Sequence, residues 1–150
     1  MTAVELLTLM VLLVILAAFA IPSMSPVVLR QRVGGAAWQL AGDLRLARQR
    51  AVTVRKRFRV CVTSCAIAVP AGSYSIERDD GTVSTPNWIN DTGAPVRLPP
   101  DVTVTTTGTA TFSTTGMASG GTFTVSNIIG SYQIAVASTG RVKVCQGTCP

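Results

Sequence analysis

Three sets of residues in this chain could do chemistry by virtue of type and spacing. Glu5 is a carboxylate set in MTAVELLTLMVLLVILAAFAIP, a run with no other ionisable side chain as far as Pro22. A charge in such surroundings costs about 2.5 to 3.5 kcal/mol even on lenient insertion scales, so it demands a counter-charge. Cys61, Cys65, Cys145 and Cys149 form two CxxxC pairs, which could ligate a metal or close disulfides. CVTSC and CQGTC each hold one residue too many for a CxxC zinc knuckle, and the chain has no His to complete a ligand set. As disulfides, the four cysteines allow three connectivities. Arg141 and Lys143 follow Gly140 two residues apart, so on a strand they share a face and could hold adjacent phosphates.

Catalytic constellations are weak by comparison. Asp79 and Asp80 could in principle form an acid/base pair, but they stand beside Gly81 and are explained by turn propensity. Ser and Thr are numerous, yet with no His, and no Lys in the head except Lys143, nothing is placed to activate them. No phosphate loop or dinucleotide fingerprint occurs. The expectation is a protein that is not an enzyme and that needs no cofactor or metal.

The elements that position these residues divide the chain in three. Residues 1–25 form an apolar helix, read as crossing a membrane or buried in an assembly. No basic residue precedes Arg30, which argues against an uncleaved secretory signal. Residues 26–57 continue as an amphipathic helix, with Val33, Ala37, Leu40, Leu44, Ala47, Ala51 and Val54 recurring at steps of four and three. From Phe58 the period changes to two, and residues 58–150 read as a β-rich head of short antiparallel strands broken by Gly, Ser and Asn, with STPNWINDTGAP as a loop. The fold class is α+β, with a long amino-terminal helix packed on an antiparallel sheet.

Charge is as segregated as hydropathy. Residues 30–59 hold nine cations against Asp43 alone, a net of +8, whereas residues 60–150 carry −1. A basic segment after an apolar span can meet anionic headgroups, an acidic partner or nucleic acid; a solvated helix face is the plainer expectation.

The counter-charge for Glu5 follows from geometry. Its own amino terminus is carried away by about 1.5 Å per residue along the helix, but a staggered neighbouring copy can present its terminal ammonium at the right depth. VELLTLMVLLVILAAFAIP, with Glu5 and Pro22, resembles the amino-terminal segment of type IV pilins and type II secretion pseudopilins. The family usually has Phe first and Gly at position 14, where this chain has Met1 and Val14. The resemblance implies that a prepilin peptidase removes a basic leader and methylates the amino terminus, here Met1, and that Glu5 serves assembly. Pro22 removes one backbone donor and favours a kink or local melting.

Farther on, LRLARQRAV, a Cys-bearing strand, FSTTGMASGGTFTV and IAVASTGRVKVC resemble the GspH/FimT branch of that family. The implied partners are copies of itself or related pilins in a helical filament, the inner membrane before assembly, the peptidase and an assembly platform. The implied location is the inner membrane first and a periplasmic or extracellular filament afterwards. For a head outside the cytoplasm disulfides are expected. The turn offered by Gly147, together with the local loops common in the family, favours Cys61 with Cys65 and Cys145 with Cys149, with cross-pairing left open. Gly140 to Lys143 lie where some FimT-like minor pilins carry a basic GRxRxR motif implicated in DNA uptake, but its third basic position is Cys145 here. The expectation is a structural filament subunit, with a type II secretion minor pseudopilin or a DNA-binding minor pilin as alternatives.

Overall fold

A computed structural model of the chain describes residues 3–23, 25–81 and 85–149, with side chains described for 3–16, 26–81 and 85–149. Helix α1 spans Ala3–Ser23 and helix α2 spans Ser25–Val54. Met1 lies outside the described residues, as does the side chain of Pro22. α2 ends where Arg55 takes a left-handed backbone, φ 56°, which breaks the helical hydrogen-bond ladder and turns the chain into the first strand.

Among the described residues nine strands follow: β1 Phe58–Cys61, β2 Ser73–Asp79, β3 Trp88–Asn90, β4 Val96–Arg97, β5 Thr103–Thr107, β6 Ala110–Phe112, β7 Gly121–Ser126, β8 Ser131–Val136 and β9 Val142–Gln146. All the pairings are antiparallel, as the strand alternation predicts. They form two sheets: β3-β2-β1-β6, with β4 also on β2, and β5-β7-β8-β9. β3 lies inside STPNWINDTGAP, which the sequence reads as a loop; pairing Trp88 with Asp79 and Asn90 with Glu77 overrides that local composition.

α2 lies across both sheets and supplies the stripe that closes the core. Val33, Ala37, Leu40, Leu44, Ala47 and Ala51 are all buried, together with Ala36 and Ala41. They meet Phe58, Val60, Tyr74, Ile76 and Phe112 from one sheet and Phe123, Val125, Ile134 and Val136 from the other. Val54, expected on the stripe, is 47% exposed at the last residue of α2. Within this apolar contact sits one polar pair: the Tyr74 hydroxyl donates to Asp43 at 2.5 Å. Burial first, and then the Asp43 carboxylate, push the Tyr74 hydroxyl well above its ordinary range.

α1 has no such cover. Over its described side chains Val4, Leu6, Leu7, Leu9 and Met10 are all exposed, and because these positions nearly circle a helix, apolar surface lies open on every side, interrupted by Glu5 and Thr8. Among the described residues no helix is long and apolar enough to cross a membrane. This departs from the expectation of a membrane span over residues 1–25. The described side chains of α1 end at Leu16, short of the ~20 residues a span requires, and those that would complete its length lie outside the described residues.

Candidate functional site

Glu5 sits in the first turn of α1, where the free backbone N–H groups give the helix its positive end and an anionic side chain is favoured. Its backbone carbonyl accepts from the Thr8 hydroxyl at 2.9 Å. The flanking Val4, Leu6, Leu7 and Leu9 place this carboxylate on an apolar rod, the setting inferred from sequence.

The structure joins Cys61 to Cys65 and Cys145 to Cys149. The sulfurs of Cys61 and Cys65 and a carboxylate oxygen of Glu77 lie within 4.8 Å of one another, but the sulfurs are bonded together and leave no thiolate for a metal. Glu77 serves the loop instead. Fully buried on β2, it accepts from the Ala66 backbone N–H at 2.6 Å, from the Ser75 hydroxyl at 3.1 Å and from Arg59 at 2.7 Å. Arg59 in turn stacks 4.3 Å from the centre of the Trp88 ring. Ser75, Glu77 and Asp79 alternate with Tyr74 and Ile76 as a solvent-facing row should, yet they are buried as well. Loops on either side of β2 use these acceptors for their backbone N–H groups.

Asp79 and Asp80 likewise act structurally. Asp79 accepts from the backbone N–H groups of Gly81 and Asn87 at 2.9 and 2.8 Å, and pairs with Arg57. Desolvation opposes its charge, but these donors prevail and hold the carboxyl below its usual range. Lys56 does the same for the exposed Asp80.

The basic segment finds its counter-ions within its own head. Arg32 pairs with Asp101 at 3.2 Å, Arg50 with Asp91 at 2.5 Å, Lys56 with Asp80, Arg57 with Asp79, and Arg59 with Glu77 at 2.6 Å. These five cations meet all five carboxylates of residues 60–150, while Arg30, Arg45 and Arg55, and Arg32 within its pair, are exposed, as the sequence reading expects. Arg48 takes another route. Its Nε donates to the Gly116 carbonyl at 2.9 Å, and its second nitrogen donates to Thr139 at 3.3 Å. LRLARQRAV, FSTTG and STGR, distant in sequence, thus meet at one arginine. Gly140 is required there: its φ is +78°, and a Cβ would fall 2.1 Å from the Gly116 carbonyl and 2.6 Å from Arg48 Nε.

Arg141 precedes β9, the outer strand of its sheet, and Lys143 lies within it. Both are exposed, and they line one depression of about 340 Å³ with Gly121, Thr122 and Ala135. Cys145, at the third basic position of the uptake motif, is held by Cys149. The Asp43–Tyr74 pair, the Arg59–Glu77–Trp88 group and the Arg48 clamp escape sequence inspection, because each joins segments with no local pattern in common.

The comparisons agree with this architecture. The family model for the type II transport protein GspH matches residues 36–140. No protein of curated function matches the sequence. The minor pseudopilin EpsH of the Vibrio cholerae type II secretion system aligns with a TM-score of 0.59 at 11% identity, over 77% of this chain and 97% of that one. The Escherichia coli GspH solution structure aligns at 0.60 and 10% identity, over 78% and 89%. The Pseudomonas aeruginosa type IV minor pilin FimU aligns at 0.55 and 18% identity, over 77% and 89%. Identities this low speak for the fold alone; the matched model speaks for descent, and it covers most of the chain, from the second turn of the buried stripe to the glycine at the Arg48 clamp. The chain belongs to the GspH family of type II transport proteins.

Proposed function

We propose that the protein is a minor subunit of a pilus-like filament, held in the inner membrane by α1 before assembly and drawn into the filament core by the same helix. The observation that carries this reading is the contrast in cover: α2 has its stripe buried by the head, whereas α1 presents apolar side chains on every side. Surface of that kind requires lipid or other helices around it, at about 25 cal/mol per Å² removed from water. Glu5 supplies the register. In a bundle of staggered α1 helices its carboxylate meets the terminal ammonium of an adjacent subunit, and each charge removes the other's desolvation cost. A prepilin peptidase and an assembly platform complete the partner set, with Met1 as the processed and methylated terminus and Pro22 as the point where the helix can yield during extraction.

Glu5→Ala tests the proposal. The variant should enter the inner membrane at the normal level and be missing from sheared filaments, as measured by quantitative mass spectrometry of both fractions. Normal incorporation of the variant would falsify the role given to Glu5.

DNA capture is the second reading, favoured by the shared depression of Arg141 and Lys143 on an outer strand. A mobility-shift assay with duplex DNA at low salt should then show retardation that Arg141→Ala with Lys143→Ala abolishes. Absence of any shift for the unaltered protein removes this reading.

A further inference from the structure

The turn between β7 and β8 carries two adjacent isoleucines at its tip. Its residues are Asn127, Ile128, Ile129 and Gly130, and Ile128 is 89% exposed. Hairpin turns are ordinarily built from Gly, Asn, Asp, Ser and Pro, and two isoleucines at the tip of one call for a compensating reason.

The turn is also held in place. Asn127 Oδ1 accepts from the backbone N–H groups of Ile129 and Gly130 at 3.0 and 3.1 Å, and the Asn127 N–H donates to the Gly130 carbonyl at 3.0 Å. The same side chain reaches α2, where its Nδ2 donates to the Leu29 carbonyl at 2.8 Å. One carboxamide therefore closes the turn and fastens it beside the first turns of α2, at the end of the head from which α1 leaves. Val27 and Val28 are exposed there, and Arg30 lines a depression of about 230 Å³ with Ile129 and Tyr132.

We infer that this tip is an interfacial membrane contact, in which Ile128 and Ile129 enter the headgroup region of the bilayer while Arg30 meets lipid phosphate. The inference rests on the membrane-held state proposed above. About 20 residues of helix cross the ~30 Å hydrocarbon core, and Leu29 lies in the first turns of α2, directly after α1 in the chain, so a span built on α1 leaves Leu29 and the tip on the side of the bilayer where the head emerges. An apolar tip flanked by a cation is the composition that binds an anionic interface. The contact would hold the head in one orientation on the membrane until extraction.

The test uses the full chain in vesicles of phosphatidylethanolamine and phosphatidylglycerol at 3:1, with lipids brominated at shallow or deep acyl positions. Ile128→Trp adds a reporter at the tip, Leu13→Trp adds one in α1, and each is compared with the unaltered chain carrying Trp38 and Trp88. Quenching of the Leu13→Trp emission by deep bromines, with the added Ile128→Trp emission quenched by shallow ones, is the expected result. Asn127→Ala in the Ile128→Trp background should then cut shallow quenching at least about twofold, as should replacing phosphatidylglycerol with phosphatidylcholine. If Leu13→Trp is quenched and Ile128→Trp is not, the tip contact is wrong and the membrane-held state stands. If neither is quenched, the membrane-held state itself fails. An Ile128→Trp emission that shifts with protein-to-lipid ratio, without quenching, overturns the inference in favour of a second copy as the occupant.

Discussion

Along α2 the apolar side chains fall on one stripe, Val33, Ala37, Leu40, Leu44, Ala47 and Ala51, and the two sheets cover every one; along α1, Val4, Leu7, Leu12 and Leu16 are each more than half exposed. The two helices also differ in how their charge is met. The cations of α2 and β1 reach carboxylates of the same head, whereas Glu5 stands among the exposed Val4, Leu6, Leu7 and Leu9. A helix with a stripe folds with its own chain, and a helix apolar on all sides requires a different environment. The contrast separates α2 and the head, which pack on one another, from α1, the helix to which the proposed function gives assembly.

Substitutions that discriminate between the two helices test this division most strongly. Leu44→Ala should lower the unfolding free energy of the head by about 2 to 5 kcal/mol, because it opens a cavity where α2 packs on the sheets. Leu9→Ala in detergent should leave the head's denaturant midpoint unchanged. An equal loss for both would erase the distinction. Next in size is Gly140→Ala, which forces a side chain onto the Gly116 carbonyl at a positive φ and should cost about 3 kcal/mol by chemical denaturation. Arg48→Ala, which removes the clamp and leaves the glycines, should cost less than that.

Asp43→Ala deprives the buried Tyr74 hydroxyl of its acceptor and should cost about 1 to 3 kcal/mol, with the loss read in the same denaturation experiment. The smallest effect concerns pH. The carboxyls of Asp79 and Asp80 titrate below their unfolded range, so their contribution is full above about pH 4 and is lost as pH falls through the lower folded values. The melting temperature should therefore decline below pH 4, and Asp79→Asn should flatten that decline. A variant with an unchanged acid limb would show that other groups govern it.

Much of the candidate site was legible in the sequence because its signals are local. Glu5 stands out against its neighbours without any knowledge of the fold, and the stripe of α2 is a matter of spacing, with Val54 the one position misjudged. The basic segment was legible as a charge, but its destination was not: a count of residues cannot say that Arg59 and Glu77 face each other across two paired strands. The same holds for β3, whose composition is that of a loop and whose pairing with β2 makes it a strand.

The amino-acid sequence by itself determined the apolar rod with its single acid, the amphipathic stripe and the change of period at Phe58, since each depends only on residues a few positions apart. Tertiary structure alone decided that the cysteines pair within their own loops, that Arg48 joins three distant segments, that the polar face of β2 is buried, and that Asn127 fixes two isoleucines beside Leu29. Apart from the two disulfides, which close loops of four residues' separation and needed the structure only to exclude cross-pairing, these contacts join positions far apart in the chain, and their energies exist only once the backbone has brought both partners together.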